Sequence, residues 1–459
     1  MRCWWISSFC WVPLARHSQR HVERKSLVQV VHRSTTTATA SAASTTPTMI
    51  SLADFLQTQK QQSKIPKLVI GNPAGDADSI LSALCWAYVV SLSSVNNNSN
   101  NQNSLLSLSP LASIPRHDLQ TQRPETMLLL QWASVPVETV MDVHDVQTHP
   151  ERFRGAEITL VDHNRLDSTA FPHLDWSVNN ILDHHYDEGL YMDTCQTRDI
   201  AFQDDKATVA STTTMVAERA TSEFSQVPSD VAILLLGTIL LDSVNMNPAA
   251  GKGTPRDQAA IDALLSKTNW RDGKLVVKED DPQLWDPETG RPHPSTLFDR
   301  LQQAKFDVKF WNALSVRDSL RLDYKEFTPS NGVPFGVSTV LLDWGSFVEK
   351  DSFPESITEY MQDTKISFLG IMCTFTSSDS DALNRQLILC ATEKPQIEDM
   401  TKYFQALGEE DNLQLVETKE STLTMENLVV RIFDQGKVKA SRKQVAPLLI
   451  RYFETCSSS

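Results

Sequence analysis

Three short apolar segments that each run directly into acidic or histidine side chains constrain this chain most strongly. They read KLVIGNPAGDADS from Lys67, EITLVDHN from Glu157 and NILDHH from Asn180. Short apolar runs that alternate with longer amphipathic stretches predict a parallel sheet flanked by helices. Because ligands of such sheets bind at the carboxyl ends of the strands, we expect the three polar clusters to meet in one crevice.

Two Leu-rich segments extend this pattern. We interpret Met127–Gln131 (MLLLQ) as a further strand, and Val231–Asn247 as a buried helix because it is too long for an ordinary strand. Asp242 follows the run LLLGTILL and would add a fourth acidic cluster.

Several carboxylates in one pocket repel each other unless cations neutralise them, so the sequence predicts bound divalent metal. Carboxylate oxygens with a minority of imidazole nitrogens suit Mn²⁺ or Mg²⁺ better than zinc held by thiolates, with Co²⁺ possible. Enough ligands are present for two ions. The candidate side chains are Asp76, Asp78, Asp162, Asp183, His184, His185 and Asp242, with Asn72 as a further polar group.

The length of 459 residues predicts two domains. We expect a metal-binding α/β domain at 49–280 with a flexible Asn/Ser-rich insertion at 91–115. A Pro- and acid-rich linker at 281–296 would lead to a smaller α/β domain at 297–456. Fifty-seven acidic against 42 basic residues argue against coating of nucleic acid, because the chain would repel a phosphate backbone.

The first 48 residues resemble a targeting segment rather than a folded one. They are rich in Arg and Ser with one acid, Glu23, as in a mitochondrial transit peptide. A signal peptide, or translation from Met49 with a cytoplasmic product, remains open. No segment is both long and apolar enough to cross a bilayer, so we expect no membrane contact.

The motifs GNPAGDADS, LVDHN, ILDHH and LLLGTILLDSVNMN resemble, in this order, those of the DHH phosphoesterase superfamily. The similarity is to the branch that contains exopolyphosphatases, prune proteins and manganese-dependent pyrophosphatases. The segments LRLDYKEF from Leu320 and ASRKQVAP from Ala440 are similar to the two phosphate-binding segments of that branch. The resemblance covers roughly residues 64–455 and implies an active site between a DHH domain and a smaller C-terminal domain.

The resemblance also implies a role for each matching residue. Asp76 and Asp162 would hold one metal, and Asp162 would bridge to a second. The second metal would be held by Asp78, Asp162, His184 and Asp242. Asp183 and His163 would orient these ligands. Substrate would contact His185, Lys325, Arg442 and Lys443, with Arg321 a weaker candidate.

Two positions separate the members of this branch. Inorganic pyrophosphatases usually carry His where this chain has Asn72, and vertebrate prune proteins often carry Arg where it has His185. Ala210 stands where relatives often carry Gly, a smaller change. Asn72 and His185 together favour an exopolyphosphatase over the other members of this branch.

The resulting prediction is an exopolyphosphatase, a hydrolase that removes terminal phosphate from inorganic polyphosphate by attack of a metal-bound hydroxide. A manganese-dependent pyrophosphatase and a prune-like phosphodiesterase or interaction protein are the alternatives. The expected partner is a phosphoanhydride substrate, and the protein would be a monomer or a homodimer.

Overall fold

The computed structural model describes residues 50–97, 108–167, 171–204, 206–273, 275, 278, 281–330, 332–350, 352–376, 382–425 and 428–456. They form two α/β domains, each built on its own sheet, which confirms the predicted fold class. The predicted targeting segment and residues 98–107 of the predicted insertion lie outside the described residues. No described helix combines the length and apolar character that a membrane span requires.

The first domain contains a five-stranded parallel sheet in the order β2-β1-β3-β4-β5. The strands are β1 Lys67–Ile70, β2 Ser109–Leu111, β3 Glu157–Val161, β4 Ser177–Asp183 and β5 Thr197–Ile200, followed by the small hairpin β6 Phe202–Gln203 and β7 Lys206–Ala207. The helices are α1 Leu52–Lys60, α2 Ala77–Asn97, α3 Arg116–Gln122, α4 Pro124–Trp132, α5 Val143–Thr148, α6 Thr212–Glu223, α7 Ser229–Asp242, α8 Pro255–Lys267 and α9 Pro294–Lys305.

Both faces of the central strands β1 and β3 are buried, as expected for strands that are covered on two sides. Val69, Val161 and Leu182 face the core that contains α2, α6 and α7, whereas Leu68 and Ile70 face a second apolar cluster. Because alternate residues of a strand point to opposite faces, short and almost wholly apolar strands supply both cores. The strand ends are therefore the places where polar side chains emerge.

The second domain contains a six-stranded sheet in the order β12-β13-β11-β10-β9-β8, with only β9 and β10 parallel. Its strands are β8 Tyr324–Phe327, β9 Phe335–Val340, β10 Phe368–Thr376, β11 Leu383–Ala391, β12 Leu415–Met425 and β13 Leu428–Gln435. Its helices are α10 Val308–Ala313, α11 Val316–Arg321, α12 Trp344–Val348, α13 Phe353–Asp363, α14 Lys394–Gln405 and α15 Arg442–Cys456. Separate apolar cores cover its two faces.

Three sequence-based assignments are wrong. The segment MLLLQ lies in helix α4, and the strand beside β1 is instead Ser109–Leu111, inside the predicted insertion at 91–115. Periodicity does not separate a short buried helix from a buried strand, which explains the first error, and a three-residue strand in a polar tract carries no periodicity, which explains the second. The predicted linker at 281–296 instead packs with the first domain, since Leu284, Trp285 and, from α9, Leu297 belong to its core.

Candidate metal centre between the domains

The sheet brings the predicted acidic clusters together at its carboxyl edge. Asp162 follows β3, Asp183 ends β4, and the loop with Asp76 follows β1. The loop packs tightly on α2, because a Cβ on Gly71 would lie 2.4 Å from the carbonyl oxygen of Ser79. A glycine is therefore required where this loop leaves the strand.

Asp162 lies at the centre of the cluster. Its backbone φ is 63°, a left-handed conformation that residues other than glycine adopt uncommonly and that Asp adopts more readily than most. Asn72 holds it by donating from Nδ2 to Oδ2 at 2.6 Å and to the backbone oxygen at 3.2 Å. Burial first, then the charges of Asp78 and Asp76, raise the pKa of Asp162 well above its usual range. Such a carboxylate ionises readily only beside a cation.

The N-terminus of α6 anchors Asp78. The backbone N–H groups of Thr212 and Thr213 both donate to Asp78 at 2.8 Å, and Ser211 Oγ donates at 2.6 Å. Asp257, wholly buried behind this turn, accepts from the backbone N–H of Ala210. Helix N-termini favour acidic side chains, so the start of α6 holds Asp78 in place.

Asp242 is the last residue of α7, where the helix dipole disfavours negative charge. Burial and then the neighbouring Asp78 and Asp76 raise the pKa of Asp242 well above its usual range. Its Oδ2 is buried with no hydrogen-bond partner among the residues that the structure describes. Because a buried unpaired oxygen is costly, this atom fits the role of a metal ligand.

His184 presents one ring nitrogen to the carboxylates. Its Nδ1 lies 3.1 Å from the carbonyl oxygen of Val209, which places the proton on that nitrogen. Nε2 then carries its lone pair 3.3 Å from Asp162 Oδ1 and 3.7 Å from Asp78 Oδ2. A backbone acceptor behind an imidazole is the arrangement that metal-ligating histidines show.

His185 and Asp183 form a separate pair beside this cluster. His185 Nδ1 contacts Asp183 Oδ1, and Asn164 Nδ2 donates to Asp183 Oδ2 at 2.6 Å. Burial disfavours the charge of Asp183, but the contacts with His185 and Asn164 outweigh it and lower the pKa of Asp183. Asp183 therefore contacts His185, whereas the family resemblance implies that it orients the metal ligands.

The residues fit divalent metal. One ligand atom from each of Asp162, His184 and His185 lies within 4.8 Å of the others. Asp76 is exposed at the mouth of the cluster, where its Oδ1 accepts from the backbone N–H of Ser79 at 3.0 Å. The donor set of carboxylate oxygens with one or two imidazoles is that of a hard cation rather than of thiolate-bound zinc.

The cluster opens into a cleft of about 1050 Å³ that both domains line. The second domain contributes Arg321, Asp323 and Lys325. The first contributes basic residues that sequence reasoning missed, because they are isolated lysines and arginines outside any motif: Arg123, Lys206, Lys252 and Lys305.

Two residues that the sequence predicts as phosphate ligands, Arg442 and Lys443, do not line the cleft. Arg442 is buried, and its guanidinium donates to the side chain of Asp323 at 2.6 Å and to its backbone oxygen at 2.5 Å. Arg442 is already paired with a carboxylate, so in this structure it positions the Asp323–Lys325 segment instead of facing a ligand.

The DHHA2 domain model matches residues 299–452. The human protein "Exopolyphosphatase PRUNE1" is 26% identical over 404 residues, covering 87% of this chain and 78% of its own. The Schizosaccharomyces pombe "Putative exopolyphosphatase" is 28% identical over 397 residues, covering 83% and 89%. The chain therefore contains a DHHA2 domain, and most of its length is similar to proteins named as exopolyphosphatases, two of them of the prune type in human and mouse.

Among solved structures, the "putative family II inorganic pyrophosphatase" of Methanococcus jannaschii is 18% identical. The alignment covers 84% of this chain and 99% of that one, with a TM-score of 0.47. The DHHA2 match begins inside α9, whereas the apolar core assigns that helix to the first domain.

Proposed function

We propose that this protein is an exopolyphosphatase that releases terminal phosphate from inorganic polyphosphate. The observation that carries the proposal is the composition of the cleft, in which buried carboxylates and histidines on one domain face Arg321 and Lys325 on the other. An anionic ligand would bridge the two walls. The volume of about 1050 Å³ is at the upper end of small-molecule sites and suits a chain of phosphates.

The metal assignment is part of this proposal. Asp78, Asp162, His184 and Asp242 would hold one divalent cation, Mn²⁺ or Mg²⁺, and Asp76 with Asp162 a second. When bound, such cations neutralise the carboxylates and polarise a phosphoryl group. The protein's own residues do the positioning, since Asp183 orients His185 toward the phosphoryl oxygens and Lys325 stabilises charge on the leaving chain.

Asn72 favours an exopolyphosphatase over a manganese-dependent pyrophosphatase. Its amide donates to Asp162 and offers no imidazole nitrogen to a metal. The cation held by Asp76 and Asp162 would therefore be bound by oxygen ligands alone, which favours Mg²⁺ more than an imidazole would.

The direct test is phosphate release by the full-length protein from long-chain polyphosphate, tripolyphosphate and pyrophosphate, with Mg²⁺, Mn²⁺ or Co²⁺ added in turn. An exopolyphosphatase releases orthophosphate from the longer substrates while the remaining chains shorten gradually on a gel. Preferential cleavage of pyrophosphate would support the pyrophosphatase alternative. Binding of polyphosphate without release would support a prune-like interaction protein.

An ion pair across the cleft leads to a separate prediction. Arg321 Nη2 donates to Asp118 Oδ2 at 3.0 Å, and Gln122 Nε2 donates to Asp318 Oδ1 at 3.2 Å, so α3 is tied to α11. Replacing Asp118 by Asn should raise KM for polyphosphate about two- to fivefold, the range for a partly exposed ion pair, with little change in kcat. Steady-state kinetics at low and high salt measure this change.

The charge-swapped double variant, Asp118→Arg with Arg321→Asp, is the control for this ion pair. It restores the bridge but moves the positive charge to the first domain. If the bridge sets the spacing of the domains, the double variant recovers part of the lost affinity. A KM unchanged by Asp118→Asn would show that the bridge does not influence substrate binding.

A further inference from the structure

Lys305 is the last residue of helix α9, at the junction of the two domains. Leu297 and Leu301 of α9 belong to the core of the first domain. The indole Nε1 of Trp311, which belongs to a core of the second domain, donates to the backbone oxygen of Lys305 at 3.3 Å. The end of α9 is therefore held from both domains, and Lys305 lines the cleft between them.

Helix α9 runs beside α7, the helix that ends in Asp242. The two helices are in close contact, because a Cβ on Gly237 of α7 would lie 3.1 Å from Cδ1 of Leu301. Asp242 lies five residues beyond Gly237, about 7.5 Å further along α7. Lys305 lies four residues beyond Leu301, about 6 Å further along α9. Because both residues line the same cleft, the two helices end side by side there.

The charge of Lys305 reaches Asp242 without a hydrogen bond to its buried oxygen. Burial first, then the charges of Asp78 and Asp76, raise the pKa of Asp242. The ammonium of Lys305 acts in the opposite direction and lowers that pKa. Oδ2 of Asp242 nevertheless accepts no hydrogen bond from any residue that the structure describes. The ammonium therefore lies near the carboxylate cluster but leaves this oxygen to another partner.

Lys305 and Lys325 approach the cleft from different elements. Lys325 lies on β8 of the second domain, where the charged groups that act on it are Arg442 and Asp323. Lys305 lies at the end of α9 and acts on a carboxylate of the metal centre. An ammonium offers three N–H donors that can turn toward phosphoryl oxygens. Of these two lysines, Lys305 is thus the one whose charge is felt at the metal centre.

We propose that Lys305 binds the terminal phosphoryl group of the substrate, the group that leaves as orthophosphate. This inference rests on the proposed function, because it assigns a role within the phosphate-releasing site. A phosphoryl group next to the cations that Asp242 and its neighbours would hold keeps negative charge on its outer oxygens, which an ammonium stabilises. Lys325 then serves the remaining chain from the opposite wall. Lys305 should therefore affect every chain length equally and also the binding of orthophosphate.

The alternative role for Lys305 is to balance the buried acids at this end of the cleft. Asp242 is one of them, and Glu125, in the first turn of α4, is 3% exposed and lines the same cleft. A counter-ion of this kind acts mainly when no cation is bound, so its removal would lower the unfolding temperature in EDTA. Once divalent cations neutralise the acids, its removal would leave the affinity for phosphate unchanged.

Binding of orthophosphate to the full-length protein at saturating Mg²⁺ distinguishes the two roles without hydrolysis. Calorimetric titration should show about tenfold weaker binding for Lys305→Met, which loses one charge-assisted contact. Lys305→Arg keeps a charge at this position and should recover part of the affinity. Lys309→Met is the matched control and should bind as the wild type does. Lys309 is exposed on α10, four residues further along the chain, and does not line the cleft.

Steady-state kinetics give a second readout of the same contact. In Lys305→Met, kcat/KM should fall by the same factor for tripolyphosphate and for long-chain polyphosphate, since both end in a terminal phosphoryl group. A loss confined to the long chain would overturn the proposal. So would equal orthophosphate affinity of the wild type and Lys305→Met, or an equal loss in Lys309→Met. If the wild type releases no phosphate from polyphosphate, the proposed function fails, and the orthophosphate titration still decides whether Lys305 binds a phosphoryl group.

Discussion

Replacing Asp162 by Asn is expected to lower phosphate release from polyphosphate about 10³-fold or more. Asp162 lies 3.3 Å from His184 and 3.7 Å from His185, it accepts a hydrogen bond from Asn72, and it is the residue that two cations would share. An amide in its place keeps the size of the side chain but loses the charge. Initial rates at saturating Mg²⁺ or Mn²⁺ measure the effect.

The same substitution is expected to stabilise the metal-free protein. Asp162 is buried beside Asp78, Asp76 and Asp242, so removing its charge relieves repulsion. The unfolding temperature in EDTA should rise by roughly 2–4 °C for each kcal/mol of relieved repulsion. Added Mn²⁺ should then raise it less than in the wild type, because one ligand is gone.

The pH dependence of this stability has a defined sign. The pKa of Asp162 is raised in the folded state, so the folded protein keeps a proton that the unfolded chain releases near pH 4. Metal-free wild-type protein should therefore lose stability as pH rises above about 4, and Asp162→Asn should lose less. A variant that is less stable than the wild type in EDTA at neutral pH, or that keeps full activity, would contradict the metal-centre assignment.

The sequence predicts that these acidic and histidine side chains come together because they stand next to strand and helix ends. Asp162 and His184 follow β3 and β4 directly, and Asp242 ends α7, so each position depends only on where its element stops. Parallel strands then bring these ends to one edge without further information. At these residues the local sequence pattern is therefore enough to predict the position in the fold.

Other contacts could not be predicted because they join residues that are distant in the chain. Arg442 meets Asp323 across 119 residues, and no local signal shows that this arginine is already paired. The strand Ser109–Leu111 has three residues and lies in a polar tract, so its pairing with β1 carries no periodicity of its own. Basic residues of the cleft such as Lys206 come together only through the fold.

Replacing Lys325 by Met is expected to lower kcat/KM for polyphosphate about 10²-fold, the effect of removing one stabilising donor from a phosphoryl-transfer site. Lys325 lies on β8 and lines the cleft opposite the carboxylates. Burial, and then the nearby charge of Arg442, lower the pKa of Lys325 to about 8. The lysine therefore changes charge close to physiological pH.

This lowered pKa makes the role of Lys325 testable without removing its side chain. Below pH 8 the free enzyme carries a charged Lys325 that attracts the polyanion, and above it the neutral amine does not, so kcat/KM should fall as pH rises through about 8. Bound polyphosphate favours the charged form, so kcat should fall only at higher pH. Lys325→Arg stays charged at every accessible pH and should lose this alkaline limb while keeping activity near neutrality. An identical alkaline limb in the Arg variant would assign the titration to another group, and the contact between Lys325 and substrate would lose its support.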